Sequence, residues 1–213
     1  MAIDLDLGEP PDDSASLERF PVRTLRAGTS IYRIHHHELG PFWFGSAEPE
    51  ADTGGRFDLA PPKGSSYWAL QADAAFLERL ARRPVTMLPL ELLDRFQLSV
   101  VAVPDDLIVA NSPVKRARSF GLTGEFHTTG QYSITRRWAV ALAKAGHRGL
   151  LSIPRHDVTA KLRALTLFGR GGEHRPKGWK AHTAPLPSAL LDSMSGWGIR
   201  CLPIPFEVET VDP

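Results

Sequence analysis

The sequence predicts an α+β fold, a strongly twisted mixed sheet with flanking helices. Strand-like and helix-like segments follow one another without strict β-α-β alternation, which argues against a doubly wound parallel sheet. No strand-GxGxxG-helix unit and no internal repeat occurs. One clear amphipathic segment, Ser133 to Ala145, stands among several short runs rich in β-branched and apolar residues, so both kinds of element are needed.

Length and composition narrow the function classes. At 213 residues, with 42% apolar and 23% charged residues, the chain can bury a sizeable core as one domain. The 25 Lys and Arg residues against 24 acids leave a formal charge of +1, too little for nucleic acid or a membrane surface to be held by field alone. No run approaches the about 18 apolar residues of a spanning helix, and the N-terminus is acidic. The expectation is a cytoplasmic protein that is not exported. The lone Cys201 forms no internal disulfide, which fits a reducing compartment.

In chain order, residues 1–20 are rich in Pro, Ser and Asp and predict a disordered lead-in, with a helical turn at Ala15 to Arg19. The ordered domain is expected over 21–208 and a short tail over 209–213. Ser30 to His36 reads as a strand of period two that puts Ile31 and Arg33 on one face, an unusual place for a charge unless it is paired or holds an anion. Adjacent strand residues point to opposite faces, so His35, His36 and His37 are not expected to share a metal ion, and no metal is predicted. Leu39 to Ser46 is a turn with an aromatic cluster, read as a lid on the core. Ala60 to Ser66 predicts a loop, Tyr67 to Leu70 a short strand, and Ala72 to Arg82 a helix with Phe76, Leu77, Leu80 and Ala81 as its apolar stripe. Glu78 lies off the centre of that stripe, where a surface pair with Arg82 is its plain structural explanation.

Further on, Leu88 to Arg95 predicts a short helix or turn, Phe96 to Val103 a strand, and Asp105 to Val109 an extended segment. Lys115, Arg116 and Arg118 lack interleaved aromatics and read as a solvated face rather than a nucleic-acid site. Ser133 caps the helix that carries Trp138, Ala139 and Leu142 on one face. Leu150 to Ile153 and Leu162 to Phe168 are strand candidates, Gly169 to Gly178 a flexible connection, Pro187 to Gly196 a helix, and Gly198 to Val208 a closing strand.

The stretch Gly54 to Leu80 concentrates groups able to do chemistry: Arg56 beside a glycine pair, then Tyr67, Trp68 and Glu78. The glycines permit close approach of the main chain to a ligand, and a strand leading into a helix brings such groups to one end of a sheet.

Seven short patterns then follow in order: I-Y-R from Ile31 to Arg33, G-G-R-F-D from Gly54 to Asp58, Y-x-A from Tyr67 to Ala69, A-x-x-E from Ala75 to Glu78, W-A at Trp138 and Ala139, R-G-L-L from Arg148 to Leu151, and R-H-D from Arg155 to Asp157. Together they resemble the RES domain, a family named for its Arg, Glu and Ser, over about Gly28 to Pro205. The resemblance implies an ADP-ribosyltransferase-like fold, with 21–208 as a RES-like domain, and action on NAD as the toxin of a toxin-antitoxin pair. It also implies inorganic phosphate as a co-substrate in some members, and a cognate antitoxin of helix-turn-helix type as partner. No direct nucleic acid and no membrane is expected, and a homo-oligomer is compatible with the sequence. By position, the family's arginines fall on Arg33 and Arg56, its tyrosine on Tyr67 and its glutamate on Glu78. The family serine falls on Pro154, which has no hydroxyl, and the nearest hydroxyl is Ser152.

The residue types suit that chemistry on their own terms. Arginine forks match the oxygens of a pyrophosphate. Nicotinamide leaves as a neutral amide and needs no general acid, while positive charge builds on the ribose, where a placed carboxylate stabilises it. The resemblance thus implies a catalytic set of Arg33, Glu78 and Ser152, with Ser152 standing in for the family serine, and an NAD-binding set of Arg33, Arg56 and Tyr67. Phosphorolysis or hydrolysis of the nicotinamide-ribose bond is the leading reading. ADP-ribosyl transfer to a protein and a RES-fold binding or regulatory module without turnover are the alternatives, the latter prompted by Pro154.

Overall fold

The computed structural model describes residues 7–81 and 86–203. Arg82, the end of the expected closing strand and the C-terminal tail lie outside them.

The segment expected to be a disordered lead-in is packed from Leu7 onward. Asp13 caps a single 3-10 helix, Ser14–Arg19, by accepting from the Ala15 N–H at 2.9 Å. Leu7, Leu17 and Phe20 are buried in one cluster with Trp138 and Leu142, and the Trp138 indole donates to the Gly8 carbonyl at 2.9 Å. Composition missed this because a few spaced apolar residues suffice to dock a polar strap on a finished core.

Strands β1 (Val22–Leu25) and β2 (Ser30–His36) are followed by the two-residue β3 (Trp43–Phe44), then β4 (Lys63–Ala69) and helix α1 (Ala72–Leu80). β4 takes in Lys63 to Ser66, expected as loop, and Gly64, which has no side chain, lets it pass close under neighbouring chain. A Cβ on Gly64 would come within 2.9 Å of both the Gly171 Cα and the Phe44 carbonyl oxygen. β5 (Met87–Pro89), α2 (Leu90–Leu93), β6 (Phe96–Ala102) and β7 (Leu107–Asn111) come next, then α3 (Glu125–Thr128) and α4 (Tyr132–Lys144). Gln131, not Ser133, occupies the N-cap of α4, with no side-chain cap bond. The chain closes with β8 (Gly149–Ser152), β9 (Ala164–Arg170), β10 (Gly172–Glu173), β11 (Ala181–Pro185), α5 (Ser188–Ser193) and β12 (Arg200–Leu202). The glycine-rich segment expected to be only a connection instead ends β9 and forms β10, which pairs with β3. β12 pairs in parallel with β5, outside the main sheet.

Among the described residues the main sheet has eight strands in the order β1-β7-β8-β9-β4-β2-β6-β11. It is mixed: β7 and β8 run parallel, and the other neighbours are antiparallel. Side chains alternate between its faces. Ala110 and Leu150 point to α4, while Val109 and Leu151 point to a second cluster on the opposite face with Ile31, Trp68, Leu165 and Trp179. Ile34, Ala69 and Leu98 share the α4 side of the sheet but pack under α1 and α5. One face therefore carries two separate helical covers, with a gap between them. At that gap β2 and β4 pair only through Tyr32 and Ala69, and β2 runs on alongside β6 alone. The strands part beyond that point, and the site occupies the split.

Candidate active site

A cavity of about 310 Å³ opens where β2 and β4 diverge, walled by α1, the start of α4 and the loops that follow β3 and β8. Arg33, Arg56, Tyr67 and Glu78 all line it. The structure thus gathers four of the five residues in the expected catalytic and NAD-binding sets, with Trp68 beside them.

Glu78 stands on α1 with Ala75 and Arg79, three residues on one helical face. Its side chain is 25% exposed and its Oε1 lies 3.4 Å from Arg56 Nη2 and 3.3 Å from the Arg155 backbone N–H. A buried guanidinium and a main-chain donor thus meet at the same oxygen of the carboxylate, at the cavity wall.

Arg56 is 6% exposed and lies over the Phe57 ring, 4.7 Å from its centroid. Its Nη1 donates to the His127 carbonyl, and its Nη2 to the Ile153 carbonyl at 3.4 Å. Arg33 is half-buried and crosses the split: Nη1 donates to the carbonyls of Pro41 and Trp43, both at 2.9 Å, and to the Ser66 hydroxyl on β4. Burial, and secondarily the charge of Arg79, lower its pKa to about 10, with Tyr67 opposing. It stays a cation at neutral pH.

Tyr67 reaches the cavity with its ring while its hydroxyl is engaged. It donates to Asp58 Oδ1 at 2.7 Å and accepts from the Phe57 N–H at 2.9 Å. Burial first, then the Asp58 charge, push its pKa well up, so it remains a neutral donor. Asp58 Oδ2 in turn accepts from the Gly55 N–H at 2.6 Å. The glycine pair has a steric cause: Gly54 has φ +104°, and a Cβ on Gly55 would sit 2.3 Å from the Tyr67 hydroxyl.

Sequence reasoning missed what holds this turn. Arg136, 1% exposed, points inward from α4 and donates to the carbonyls of Ala51 at 2.6 Å, Thr53 at 2.7 Å and Gly55 at 3.0 Å, with longer bonds to Glu48 and Pro49. Thr135 adds a bond to the Arg56 carbonyl at 2.7 Å. His127 was also missed. Its Nδ1 accepts from the Ile153 N–H at 3.3 Å, and burial, then the charges of Arg56 and Arg163, lower its pKa to about 3. It is a neutral acceptor that ties α3 to the loop after β8. In that loop Asp157 accepts from the Thr159 N–H and hydroxyl and from the Leu162 N–H; burial opposes its ionisation, but these donors outweigh it and hold its carboxyl low.

Ser152, the residue expected to replace the family serine, does not line the cavity. It is 0% exposed within β8, and its hydroxyl has no hydrogen-bond partner among the described residues. Pro154 is buried as well. The histidine run also departs from expectation. His35 is buried against Ser99, 2.8 Å from its hydroxyl, but β2 ends at His36, so the turn brings donor atoms of His36, His37 and Glu38 within 4.8 Å of one another. Trp43, expected in a core lid, is 40% exposed and lines the cavity, while Phe42 and Phe44 beside it are buried.

No helix of the described residues is long and apolar enough to cross a membrane. No curated protein matches the chain. In the solved structures, the fold is similar to that of the toxin chain in the crystal structure of the M. tuberculosis MbcT-MbcA toxin-antitoxin complex, with a TM-score of 0.61, 18% sequence identity, and coverage of 87% of this chain and 98% of that one. The sequence itself matches the RES domain over residues 30–185. With most of its length inside that match, and with the Arg, Tyr and Glu positions converging on one cavity, the chain belongs to the RES domain family.

Proposed function

We propose that this chain is a cytoplasmic NAD-consuming enzyme that cleaves the nicotinamide-ribose bond and serves as the toxin of a toxin-antitoxin pair. The observation that carries this reading is the braced carboxylate of Glu78, facing a cavity lined by four guanidinium groups, those of Arg33, Arg56, Arg79 and Arg155. The cationic lining suits a dinucleotide pyrophosphate, and Glu78 suits a sugar that turns cationic.

In this mechanism the C1′–N1 bond of the nicotinamide ribose breaks and its electron pair leaves with neutral nicotinamide. Glu78 stabilises the positive charge left on C1′ and the ring oxygen, and Arg56, 3.4 Å away, keeps that carboxylate aimed. Tyr67 offers its ring to the nicotinamide or ribose, its hydroxyl being tied to Asp58 and Phe57. Arg33 spends Nη1 on its own chain and keeps Nε and Nη2 for phosphate. An oxygen of inorganic phosphate or water then bonds to C1′. Ser152 takes no part, and the reading uses no metal. The toxin-antitoxin complex formed by the structural neighbour supports a cognate antitoxin as partner; its helix-turn-helix type is part of the proposal.

A second reading has its own motivation: with Pro154 at the family serine and Ser152 sealed in β8, the chain is a RES-fold binding module without turnover. Incubating the purified protein with adenylate-labelled NAD, with and without inorganic phosphate, separates these outcomes. Phosphorolysis yields nicotinamide and ADP-ribose 1″-phosphate, hydrolysis yields ADP-ribose, and transfer places label on a protein. Binding of NAD without nicotinamide release supports the second reading and refutes the first.

A further inference from the structure

The two arginines that the family pattern singles out are largely spent on the protein itself. All three bonds of Arg33 leave from Nη1, and both terminal nitrogens of Arg56 are engaged by His127, Ile153 and Glu78. Arg155 is different. Its side chain is exposed and lines the cavity, and among the described residues no carboxylate pairs with it. Its guanidinium lies beside Gly130, since a Cβ there would be 3.6 Å from Nη2. It therefore reaches from the loop after β8 toward the start of α4, across one wall of the cavity. Its root is fixed, because its own backbone N–H holds Glu78 at 3.3 Å.

We propose that Arg155 is the phosphate-binding arm of this site, a cation that takes a phosphate oxyanion next to the ribose that Glu78 attends. The inference rests on the NAD-cleaving reading above and deepens it, giving Arg155, there only one of four lining cations, a role of its own. The chemistry sets the distance. In a nicotinamide dinucleotide only C5′ and O5′ separate the reacting ribose ring from its phosphate, and in phosphorolysis the incoming phosphate must approach C1′ of the same sugar. A cation rooted at the residue whose amide touches Glu78 is within reach of either. Guanidinium suits the role because it offers paired donors to two phosphate oxygens and stays charged. Exposure leaves the side chain free to close on its ligand, whereas Arg33 and Arg56 are already fixed.

The test is equilibrium binding of NAD, ADP-ribose and inorganic phosphate, each titrated into the full-length wild-type protein, Arg155→Gln and Arg155→Lys. The side chain is exposed, so both variants should keep the wild-type melting temperature. Loss of a charge-assisted fork predicts about ten- to a hundredfold weaker binding in Arg155→Gln, with partial recovery in Arg155→Lys. Weakened ADP-ribose and NAD with unchanged phosphate assigns the arm to the dinucleotide. Weakened phosphate with unchanged ADP-ribose assigns it to the incoming co-substrate. Wild-type affinities of Arg155→Gln for all three probes would overturn the proposal while leaving the NAD-cleaving reading intact. A wild-type protein that binds none of them would sink both, and that failure is visible before any variant is made.

Discussion

Replacing Arg136 with methionine removes the guanidinium that five main-chain carbonyls of the turn before Arg56 share. The residue is 1% exposed, and its three shorter bonds, to Ala51 at 2.6 Å, Thr53 at 2.7 Å and Gly55 at 3.0 Å, bear most of the load. A hydrogen bond from a charged donor contributes about 1.5–3 kcal/mol, and bonds within one network do not add fully. Counting those three near the lower figure, and allowing water to recover part of the loss, gives about 4 kcal/mol. Methionine keeps much of the apolar stem, so the cavity contribution is small. For a chain of this size each kcal/mol moves the melting temperature by about 2–4 °C, so a fall of about 8–16 °C is expected. Urea unfolding at a common m-value measures the free energy directly, and calorimetry checks the midpoint. Arg136→Lys, which keeps the charge but loses the fork, should fall between. A loss below about 1 kcal/mol for Arg136→Met would mean that the carbonyls find equal partners in water, and that α4 does not hold the turn.

Two further substitutions probe the same frame. Gly55→Ala forces a Cβ to 2.3 Å from the Tyr67 hydroxyl; about 1–3 kcal/mol of stability should be lost, and NAD turnover should fall with it, as denaturant and activity assays would register. Unchanged values would mean the turn yields without moving Tyr67. His127 supplies the pH dependence. Its folded pKa is lowered to about 3 from an ordinary 6.5, so the unfolded chain binds the proton more readily. Stability is therefore lost as pH falls from 6.5 toward 3, at up to about 1.4 kcal/mol per pH unit from this one group. His127→Phe should flatten that part of the stability profile; an unchanged slope in this window would show that the histidine is not held neutral in the fold.

How far the sequence reaches is clearest element by element. β2 and β6 announce themselves through period two and β-branched content, and α4 through its apolar face, because local spacing alone decides those features. Arg33, Arg56, Tyr67 and Glu78 were legible as a group, and they share one cavity. Arg136 was not, since its acceptors lie more than 80 residues away and no local pattern distinguishes a helical arginine that turns inward from Arg137 beside it, which pairs with Glu9 and Glu50 near the surface. Ser152 failed for another reason. β8 is buried on both faces, so a hydroxyl there has no open side, and an apolar run does not reveal that its one polar residue is sealed in. The strap from Leu7 to Phe20 shows the limit of composition, because its docking depends on a surface that exists only once α4 has folded.

Release of nicotinamide from NAD by the purified wild-type protein and by Glu78→Gln tests the central claim most directly. The substitution preserves shape while removing the charge that is to steady the ribose, so release by the wild type and a rate lower by about 10²–10³ in the variant are expected. Equal rates for the two proteins would contradict the account, as would a wild type that releases none.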